Sequence, residues 1–221
     1  MVPNDGTAAD DVLTGPADRD ALWGLDGNDT ISGLGGNALL LGNVGDDSLF
    51  GGNGDDGLDG GGGNDILDGG DGIDTAIFEP GGVVASLVTN IATGPNNGTD
   101  TLVNIENLSG TSTDDTLTGN DGNNRLIGGG GANILQGGGG DDEIDDQGAG
   151  STIDGGAGWD YLNLDRRVSS AALAFTYDAA AGSGALPDGT TFTGIEQFLL
   201  LSGEGDDTFN LVGANASHPD R

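Results

Sequence analysis

The stretch that decides the fold is residues 51–77, which read GGNGDDGLD, GGGGNDILD and GGDGIDTAI in successive groups of nine. Each group has glycine at its first, second and fourth positions, Asp at its sixth and an aliphatic residue at its eighth. The glycines permit positive φ and tight backbone curvature, which excludes a helix, and the last three residues suit a short strand. The stretch therefore predicts turns that alternate with strands.

The same register extends back to Gly6. Eight units of nine residues cover 6–77 without an insertion, and each begins with glycine and has an aliphatic eighth residue. Only Ala38 breaks the series of sixth-position aspartates, which comprises Asp11, Asp20, Asp29, Asp47, Asp56, Asp65 and Asp74. Such regular placement indicates a repeat array, although low hydrophobicity and high charge alone are typical of a disordered chain.

A second array occupies 110–163 and is less regular. Its six units keep the aliphatic eighth position, but their sixth residues vary: Asp115, Asn124, Asn133, Asp142, Ser151 and Asp160. An isolated last unit, 202–210, carries Asp207 at the sixth position. Because Asn supplies only a neutral oxygen and Ser no charge, we expect weaker or missing ion sites in this array.

Two non-repetitive spacers resemble each other, since Ile105-Glu106-Asn107-Leu108 matches Ile195-Glu196-Gln197-Phe198 at an offset of 90 residues. Glu106 and Glu196 either orient the chain into the next array or ligate an ion at an array end. The sequence thus predicts a duplicated organisation, with a first array at 6–77, a β spacer at 78–109, a degenerate second array at 110–163, a β spacer at 164–201, and a terminal half-repeat and tail at 202–221.

Composition excludes several classes of function. The 221 residues include 37 acidic and 5 basic side chains, for a net charge of −32, so binding to nucleic acid or an anionic membrane is not expected. The chain has no cysteine, which excludes disulfides, zinc ribbons and thiol catalysis. The longest apolar run, 198–201, is far too short to span a membrane, and no Sec-type signal peptide is visible.

The repeat also predicts an ion site. Two turn–strand units form one coil of 18 residues, and coils stack at the inter-strand spacing of about 4.8 Å. Sixth-position carboxylates two units apart then lie on one edge and repel each other, next to converging carbonyls of the glycine-rich turns. Ca²⁺ accepts such oxygen ligands in flexible geometry, whereas Mg²⁺ prefers tight octahedra and Zn²⁺ prefers His or Cys.

The units resemble the GGxGxDxUx nonapeptide of the RTX, or hemolysin-type, calcium-binding repeats, most closely at 51–59, 60–68, 69–77 and 137–145. The spacer segment 100–107 is also similar to RTX spacers. The resemblance implies an all-β fold, a right-handed parallel β-roll like the C-terminal part of serralysin-type proteases. It further implies several bound Ca²⁺ ions, folding on calcium binding, and secretion to the outside of the cell by a type I secretion apparatus.

The candidate calcium ligands follow from this pattern. The carboxylates are those of Asp11, Asp20, Asp29, Asp47, Asp56, Asp65, Asp74, Asp115, Asp142, Asp160 and Asp207. The turns add backbone carbonyls of first- and fourth-position glycines, namely Gly24, Gly27, Gly42, Gly45, Gly51, Gly54, Gly60 and Gly63. We expect Arg166 and Arg167 to offset nearby acidic charge, and 206–212 is a candidate export signal.

Other readings explain less of the sequence. EF-hand loops need spaced acids with a terminal Glu between helices, which no stretch supplies. His218 is the only imidazole, lies in a polar tail and has no catalytic set around it, so we do not expect an enzyme. Two roles stay open, a self-contained secreted repeat protein or an accessory module of a larger secreted protease, lipase, polysaccharide epimerase, adhesin or toxin. Met1 directly before the repeats favours the first role, with a polysaccharide or cell-surface partner as a further expectation.

Overall fold

The computed structural model describes residues 5–16, 18–167, 172–204 and 206–212. Within these ranges the chain forms 23 strands and no helix, and they therefore contain no helix long enough to span a membrane. The strands belong to two sheets, called sheet A and sheet B below, with 14 and nine strands among the described residues. The predicted all-β parallel roll is thereby confirmed.

Successive strands of each array alternate between the sheets. Sheet A contains β1 (Val12–Thr14), β3 (Thr30–Ser32), β5 (Ser48–Asn53), β7 (Ile66–Asp71), β9 (Val84–Ser86), β10 (Ile91–Gly94), β11 (Gly98–Val103), β13 (Thr116–Thr118), β15 (Ile134–Gly139), β17 (Thr152–Ala157), β19 (Ala174–Asp178), β20 (Ser183–Ala185), β21 (Thr191–Thr193) and β23 (Thr208–Val212). Sheet B contains β2 (Ala21–Asp26), β4 (Leu39–Val44), β6 (Gly57–Gly62), β8 (Thr75–Ile77), β12 (Asn107–Ser109), β14 (Arg125–Gly129), β16 (Glu143–Asp146), β18 (Tyr161–Arg166) and β22 (Gln197–Ser202).

Pairing within the arrays is parallel and joins residues 18 apart, as Leu49 with Leu67 shows. One coil therefore takes two units, as the sequence predicts. Most array strands are longer than the three residues predicted, since β5 runs on to Asn53 and pairs Gly52 with Gly70, whereas β1, β3, β8 and β13 have three residues. Pairing continues because glycines at the first and second positions keep the backbone of adjacent coils close enough for ladder hydrogen bonds.

Eighth-position side chains form the core. In each strand this residue points between the sheets, so that the interior consists of two aliphatic ladders one residue wide. Sheet A contributes Leu13, Ile31, Leu49, Leu67, Leu117, Leu135 and Ile153, and sheet B contributes Leu22, Leu40, Leu58, Ala76, Leu126, Ile144 and Leu162. Each fully buried leucine contributes about 1.5–3 kcal/mol to the stability of the fold. Because each unit adds only one such residue, the core is small for a chain of this length.

Both spacers are built into the same two sheets. In the first, the antiparallel strands β11, β10 and β9 lie between β7 and β13 of sheet A, while β12 continues sheet B. In the second, β21, β20 and β19 take the equivalent places between β17 and β23, and β22 continues sheet B. The duplication read from the sequence is thus repeated in the topology.

The two spacers differ in what fills the core. The first places the small side chains Ala85 and Ala92 inside. The second contains an aromatic cluster in which the ring centroids of Tyr177 and Phe198 are 4.7 Å apart and those of Phe175 and Phe198 are 5.0 Å apart. Aromatic packing of this kind adds more buried area per residue than the aliphatic ladders do.

Glycines serve two separate purposes in a unit. Second- and fourth-position residues adopt positive φ, as Gly52 (108°) and Gly54 (124°) illustrate. First-position glycines such as Gly51 do not, although glycine permits positive φ at all three positions. Their requirement is space, because a Cβ on Gly51 would overlap with the Asp56 carboxylate and the Gly69 carbonyl oxygen.

Candidate metal centres

The turns form two rows along the roll. Edge A comprises the turns that lead into sheet A, with Asp11, Asp29, Asp47, Asp65, Asp115, Asn133 and Ser151 at their sixth positions. Edge B comprises the turns that lead into sheet B, with Asp20, Ala38, Asp56, Asp74, Asn124, Asp142 and Asp160. The predicted stacking of carboxylates on two edges is therefore what the fold produces.

Each edge carries a ladder of hydrogen bonds from backbone to carboxylate. The amide of Asp29 donates to Oδ1 of Asp47 (2.7 Å), and the amide of Asp47 donates to Oδ1 of Asp65 (2.8 Å). On edge B the amide of Asp56 donates to Oδ1 of Asp74 (2.8 Å). One oxygen of every such carboxylate is thus fixed to the preceding coil, which determines where the other oxygen points.

The second oxygen has no donor. Among the described residues nothing donates a hydrogen bond to the buried Oδ2 atoms of Asp20, Asp29, Asp47, Asp56, Asp65, Asp74, Asp142 and Asp160. These carboxylates are almost completely buried, with exposures of 0–8 %. A buried charged oxygen without a partner is costly unless a cation neutralises it. The ladder therefore points to positive charge between the coils.

Backbone oxygens share the same space. The position of a Cβ on Gly42 lies against both Oδ2 of Asp47 and the carbonyl oxygen of Gly60 in the next coil. The space at a first-position glycine is flanked in the same way by Asp29 with the Gly42 carbonyl, Asp56 with Gly69, Asp74 with Asn104, Asp142 with Gly155, and Asp160 with Gly194. A methyl group would fill this space, which we call a first-position cradle, and this explains why the first position of the unit is glycine.

Fourth-position glycines occupy a different place. The carbonyl oxygens of Gly27 and Gly45 lie against the Cβ positions of Gly45 and Gly63 in the following coils. The carbonyl oxygen of Gly54 likewise lies against the Cβ position of Gly72. No carboxylate of a described residue is among the atoms nearest to these positions. Of the glycines predicted as ligands, Gly24, Gly42, Gly51 and Gly60 have carbonyl oxygens beside first-position glycines, whereas the carbonyl oxygens of Gly27, Gly45, Gly54 and Gly63 lie against the turn of the following coil. The ligand role of all eight stays a prediction.

Burial shifts the acidity of these groups. Removal from water raises the pKa of Asp47, Asp74, Asp142 and Asp160 to about 6, and it also raises the pKa of Asp56 and Asp65. The amide hydrogen bond to Oδ1 opposes the shift, and neighbouring carboxylates increase it. Without a cation, burial therefore makes these carboxyl groups on both edges easier to protonate than they are in water.

The spacers add carboxylates that the repeat pattern does not reveal. Oε2 of Glu106 accepts the amide of Asp74 (2.9 Å), and Oε2 of Glu196 accepts the amide of Asp160 (2.9 Å). Both glutamates therefore continue the edge B ladder at an array end, which fits either role predicted for them. On edge A, Oδ1 of Asp100 accepts the amide of Asp65 (3.1 Å), and burial together with the Asp65 charge raises the pKa of Asp100 to about 7.

Asp100 lies 35 residues after Asp65, outside the 18-residue register, so the repeat does not single it out. The duplicated Ile-Glu motif of the spacers did signal the two glutamates. Each lies directly before a sheet B strand, at the place of a sixth-position residue, since Asn107 pairs with Thr75 and Gln197 pairs with Tyr161.

Three predicted ligands have other partners. Oδ2 of Asp11 accepts the amide of Thr7 (2.6 Å), and Oδ2 of Asp115 accepts the amide of Thr111 (2.6 Å). Both threonines are second-position residues of array-opening units. Asp207 lies at the surface and accepts the amide of Leu173 (3.0 Å).

The donor set fits a hard cation that accepts backbone ligands. No group of three or more His, Cys, Asp or Glu side chains comes together as a metal site among the residues described. An ion on either edge would therefore be held by one or two carboxylates and by backbone carbonyls, an all-oxygen set that suits Ca²⁺. His218, expected to be an exposed tail residue, lies outside the described residues.

Comparison with known proteins agrees with the geometry. The RTX calcium-binding nonapeptide repeat matches the chain in four copies, at residues 5–40, 41–76, 109–144 and 149–166. A search of curated proteins found no match. The matched segments cover more than half of the chain and coincide with the turns that carry the carboxylate ladders. The chain therefore belongs to the family of RTX calcium-binding nonapeptide-repeat proteins.

Proposed function

We propose that this chain binds several Ca²⁺ ions between its stacked coils, folds when it binds them, and acts outside the cell without catalysing a reaction. The observation that carries the proposal is the row of buried Oδ2 atoms without a donor from any described residue, each facing a first-position cradle. Family membership supplies the identity of the ion, and the all-oxygen surroundings agree with it.

The ligands we assign are the orphaned carboxylates together with the carbonyl oxygen that faces each of them. Six pairs are complete in this sense: Asp29 with Gly42, Asp47 with Gly60, Asp56 with Gly69, Asp74 with Asn104, Asp142 with Gly155, and Asp160 with Gly194. Asp20 and Asp65 add orphaned oxygens at places where Ala38 and Asp100 alter the next turn.

Coupling to folding follows from the charge. The chain has a net charge of −32 and buries many carboxylates, while its aliphatic core is narrow. Bringing these carboxylates together without a cation opposes folding, in addition to the backbone entropy of a glycine-rich chain. Calcium binding therefore adds its free energy to that of folding, as in other metal-dependent folds.

Coupling of this kind supports action outside the cell. Extracellular calcium sites typically have dissociation constants of about 10⁻⁴–10⁻³ M and stay empty in the cytosol. A chain that remains unfolded inside the cell and folds outside is suited to export by a type I secretion apparatus. Undiminished export after deletion of 202–221 would exclude that segment as the signal.

The test of the calcium role is far-UV circular dichroism during titration of EDTA-treated protein, with Mg²⁺ as the control. We expect a cooperative gain of β signal at roughly 10⁻⁴–10⁻³ M Ca²⁺ and none with Mg²⁺ at the same concentrations. A chain that is already folded in EDTA and does not respond to Ca²⁺ would contradict the proposal.

A further inference from the structure

Edge A changes character at three successive turns of the second half. The sixth-position carboxylate is replaced by Asn133, by Ser151 and, at the equivalent place before β21, by Thr190. All three are buried, with exposures of 0–1 %. The ladder nevertheless continues, because the amide of Asn133 donates to Oγ of Ser151 (3.1 Å).

These turns enclose a charged network formed by Asp146, Arg166 and Asp188, called the Arg166 network. The Arg166 side chain is only 4 % exposed, and Asp146 is completely buried. Nη2 of Arg166 donates to Oδ2 of Asp146 (2.8 Å) and to Oγ1 of Thr190 (3.1 Å). Its Nη1 donates to the carbonyl oxygen of Asp146 (2.9 Å), and its Nε donates to Oδ2 of Asp188 (2.8 Å).

Asp146 stands at the first position of its unit, where almost every other unit has glycine. Its side chain enters the space that glycine leaves open elsewhere. There Oδ1 accepts Nδ2 of Asn133 (2.9 Å) and Oγ of Ser151 (3.0 Å). Both oxygens of this buried carboxylate therefore have donors from the chain.

The contrast with a coil of the first array is direct. A Cβ on Gly42 would meet two oxygens that can only accept, a carboxylate oxygen of Asp47 and the carbonyl oxygen of Gly60, and a cation between them would satisfy both. A Cβ on the equivalent Gly128 would lie 2.8 Å from Nδ2 of Asn133 and 3.2 Å from Oδ1 of Asp146, which are the polar atoms nearest to it. A nitrogen donor and an oxygen acceptor bond directly, so this space needs no metal.

We propose that the guanidinium of Arg166 is the built-in cation of edge A between Asn133 and Thr190. It supplies from within the chain the positive charge that calcium supplies on the other coils, a role that rests on the proposed function of those coils. Its planar fork binds Asp146 through both a carboxylate and a carbonyl oxygen, which are the two ligand types found at the calcium cradles.

The structural consequence is an order of assembly. This part of edge A forms at a calcium concentration at which edge A of the first array is still open. This part of edge A then provides an ordered surface on which the calcium-dependent turns of edge A can stack.

The first test follows amide hydrogen exchange by NMR in the unaltered full chain at increasing calcium. The amides of Asn133 and Thr152 report on the Arg166 network, while those of Asp29 and Ser48 report on edge A of the first array. We expect Asn133 and Thr152 to become protected at lower calcium than Asp29 and Ser48. Protection at the same or higher calcium would overturn the proposal.

The second test compares Arg166→Gln with Arg167→Gln. Arg167 is a matched control, because its side chain is 67 % exposed and pairs with Asp165. In Arg166→Gln we expect exchange at Asn133 and Thr152 to become faster by on the order of 100-fold at the calcium concentration where the unaltered chain protects them, since Asp146 loses its buried partner. Arg167→Gln should leave these rates unchanged.

Equal protection in Arg166→Gln and the unaltered chain would show that the guanidinium is not the cation of this edge. If Arg166→Gln does not fold at any calcium concentration, the order of protection in the unaltered chain decides. A failure of calcium to fold the chain at all would appear in the circular dichroism titration and would instead overturn the proposed function.

Discussion

Edge A of the first array and edge A of the second array share one backbone register but balance carboxylate charge differently. In the first, Asp29, Asp47 and Asp65 each leave a buried oxygen without a donor from any described residue. In the second, Asn133 and Ser151 replace the carboxylates, and Arg166 lies within the chain as the counter-charge. The same turn can thus be built to require an external cation or to contain its own.

The largest effect should come from filling a first-position cradle, since edge A of the first array contains such cradles and the Arg166 network does not. Gly42→Ala places a methyl group against Asp47 and the Gly60 carbonyl, so we expect a loss of about 1–3 kcal/mol in stability and weaker calcium binding. Gly122→Ala is the control, because its Cβ meets only Oδ1 of Asn120 at 3.2 Å. Urea unfolding at saturating calcium measures both, and equal midpoints would contradict the cradle.

A second comparison separates orphaned from hydrogen-bonded carboxylates. Asp56→Asn removes the charge of an oxygen without a donor among the described residues, so isothermal titration calorimetry should find about one ion fewer. Asp115→Asn should leave the number of ions unchanged and cost about 1 kcal/mol with or without calcium, because Thr111 already donates to its Oδ2. A lost ion in Asp115→Asn would show that this distinction is wrong.

The pH dependence should change sign with calcium. The pKa values of Asp47, Asp74 and Asp142 are raised to about 6 in the fold, so protonation favours the calcium-free folded state. In EDTA, stability should therefore rise as pH falls from about 7 to about 4 and be lost as pH rises through 6. With calcium, protons compete with the ion and stability should fall over the same range.

The far-UV circular dichroism signal of EDTA-treated protein between about pH 7 and about pH 4 measures the first slope, and thermal unfolding at saturating calcium over the same range measures the second. For a chain of this size each kcal/mol corresponds to roughly 2–4 °C in Tm. Slopes of the same sign under both conditions would exclude carboxylate protonation as a substitute for the bound cation.

The smallest effect concerns strain within the first array. Leu34 occupies a second position with φ of 65°, where later coils have Gly52 and Gly61. Leu34→Gly should stabilise the fold by about 0.5–1 kcal/mol, because a left-handed penalty of roughly 1–2 kcal/mol outweighs the entropy cost of glycine. Asn90→Gly is the control at φ of 58°, which Asn tolerates better, and its Tm should change less.

Regular parts of the molecule could be predicted from the sequence because each rests on a single repeated constraint. Alternation fixes Leu49 and Leu58 as interior residues, and the 18-residue coil places Asp47 beside Asp65. Strand length was underestimated, because ladder pairing of glycine backbones leaves no side-chain pattern. The inserted antiparallel strands of the spacers could not be placed either, since their partners lie outside the repeat register.

The irregular parts of the site depend on contacts between residues that the nine-residue repeat does not relate to each other. Asp100 joins edge A only because the spacer hairpin returns it to Asp65. Arg166 reaches Asp146 across 20 residues and Asp188 across 22, so the pairing is visible only in three dimensions. One signal was present in the sequence, since Asp146 replaces a first-position glycine and Ser151 replaces an aspartate in the same unit.

The central claim is that calcium lies between coils where carboxylate oxygens lack donors, and that it is absent where Arg166 supplies the charge. Anomalous scattering from crystals grown with calcium tests this most directly. Peaks are predicted beside Oδ2 of Asp47, Asp56 and Asp74, with none between Gly128 and Asp146. An ion at the Arg166 network, or edges of the first array without ions, would contradict the claim.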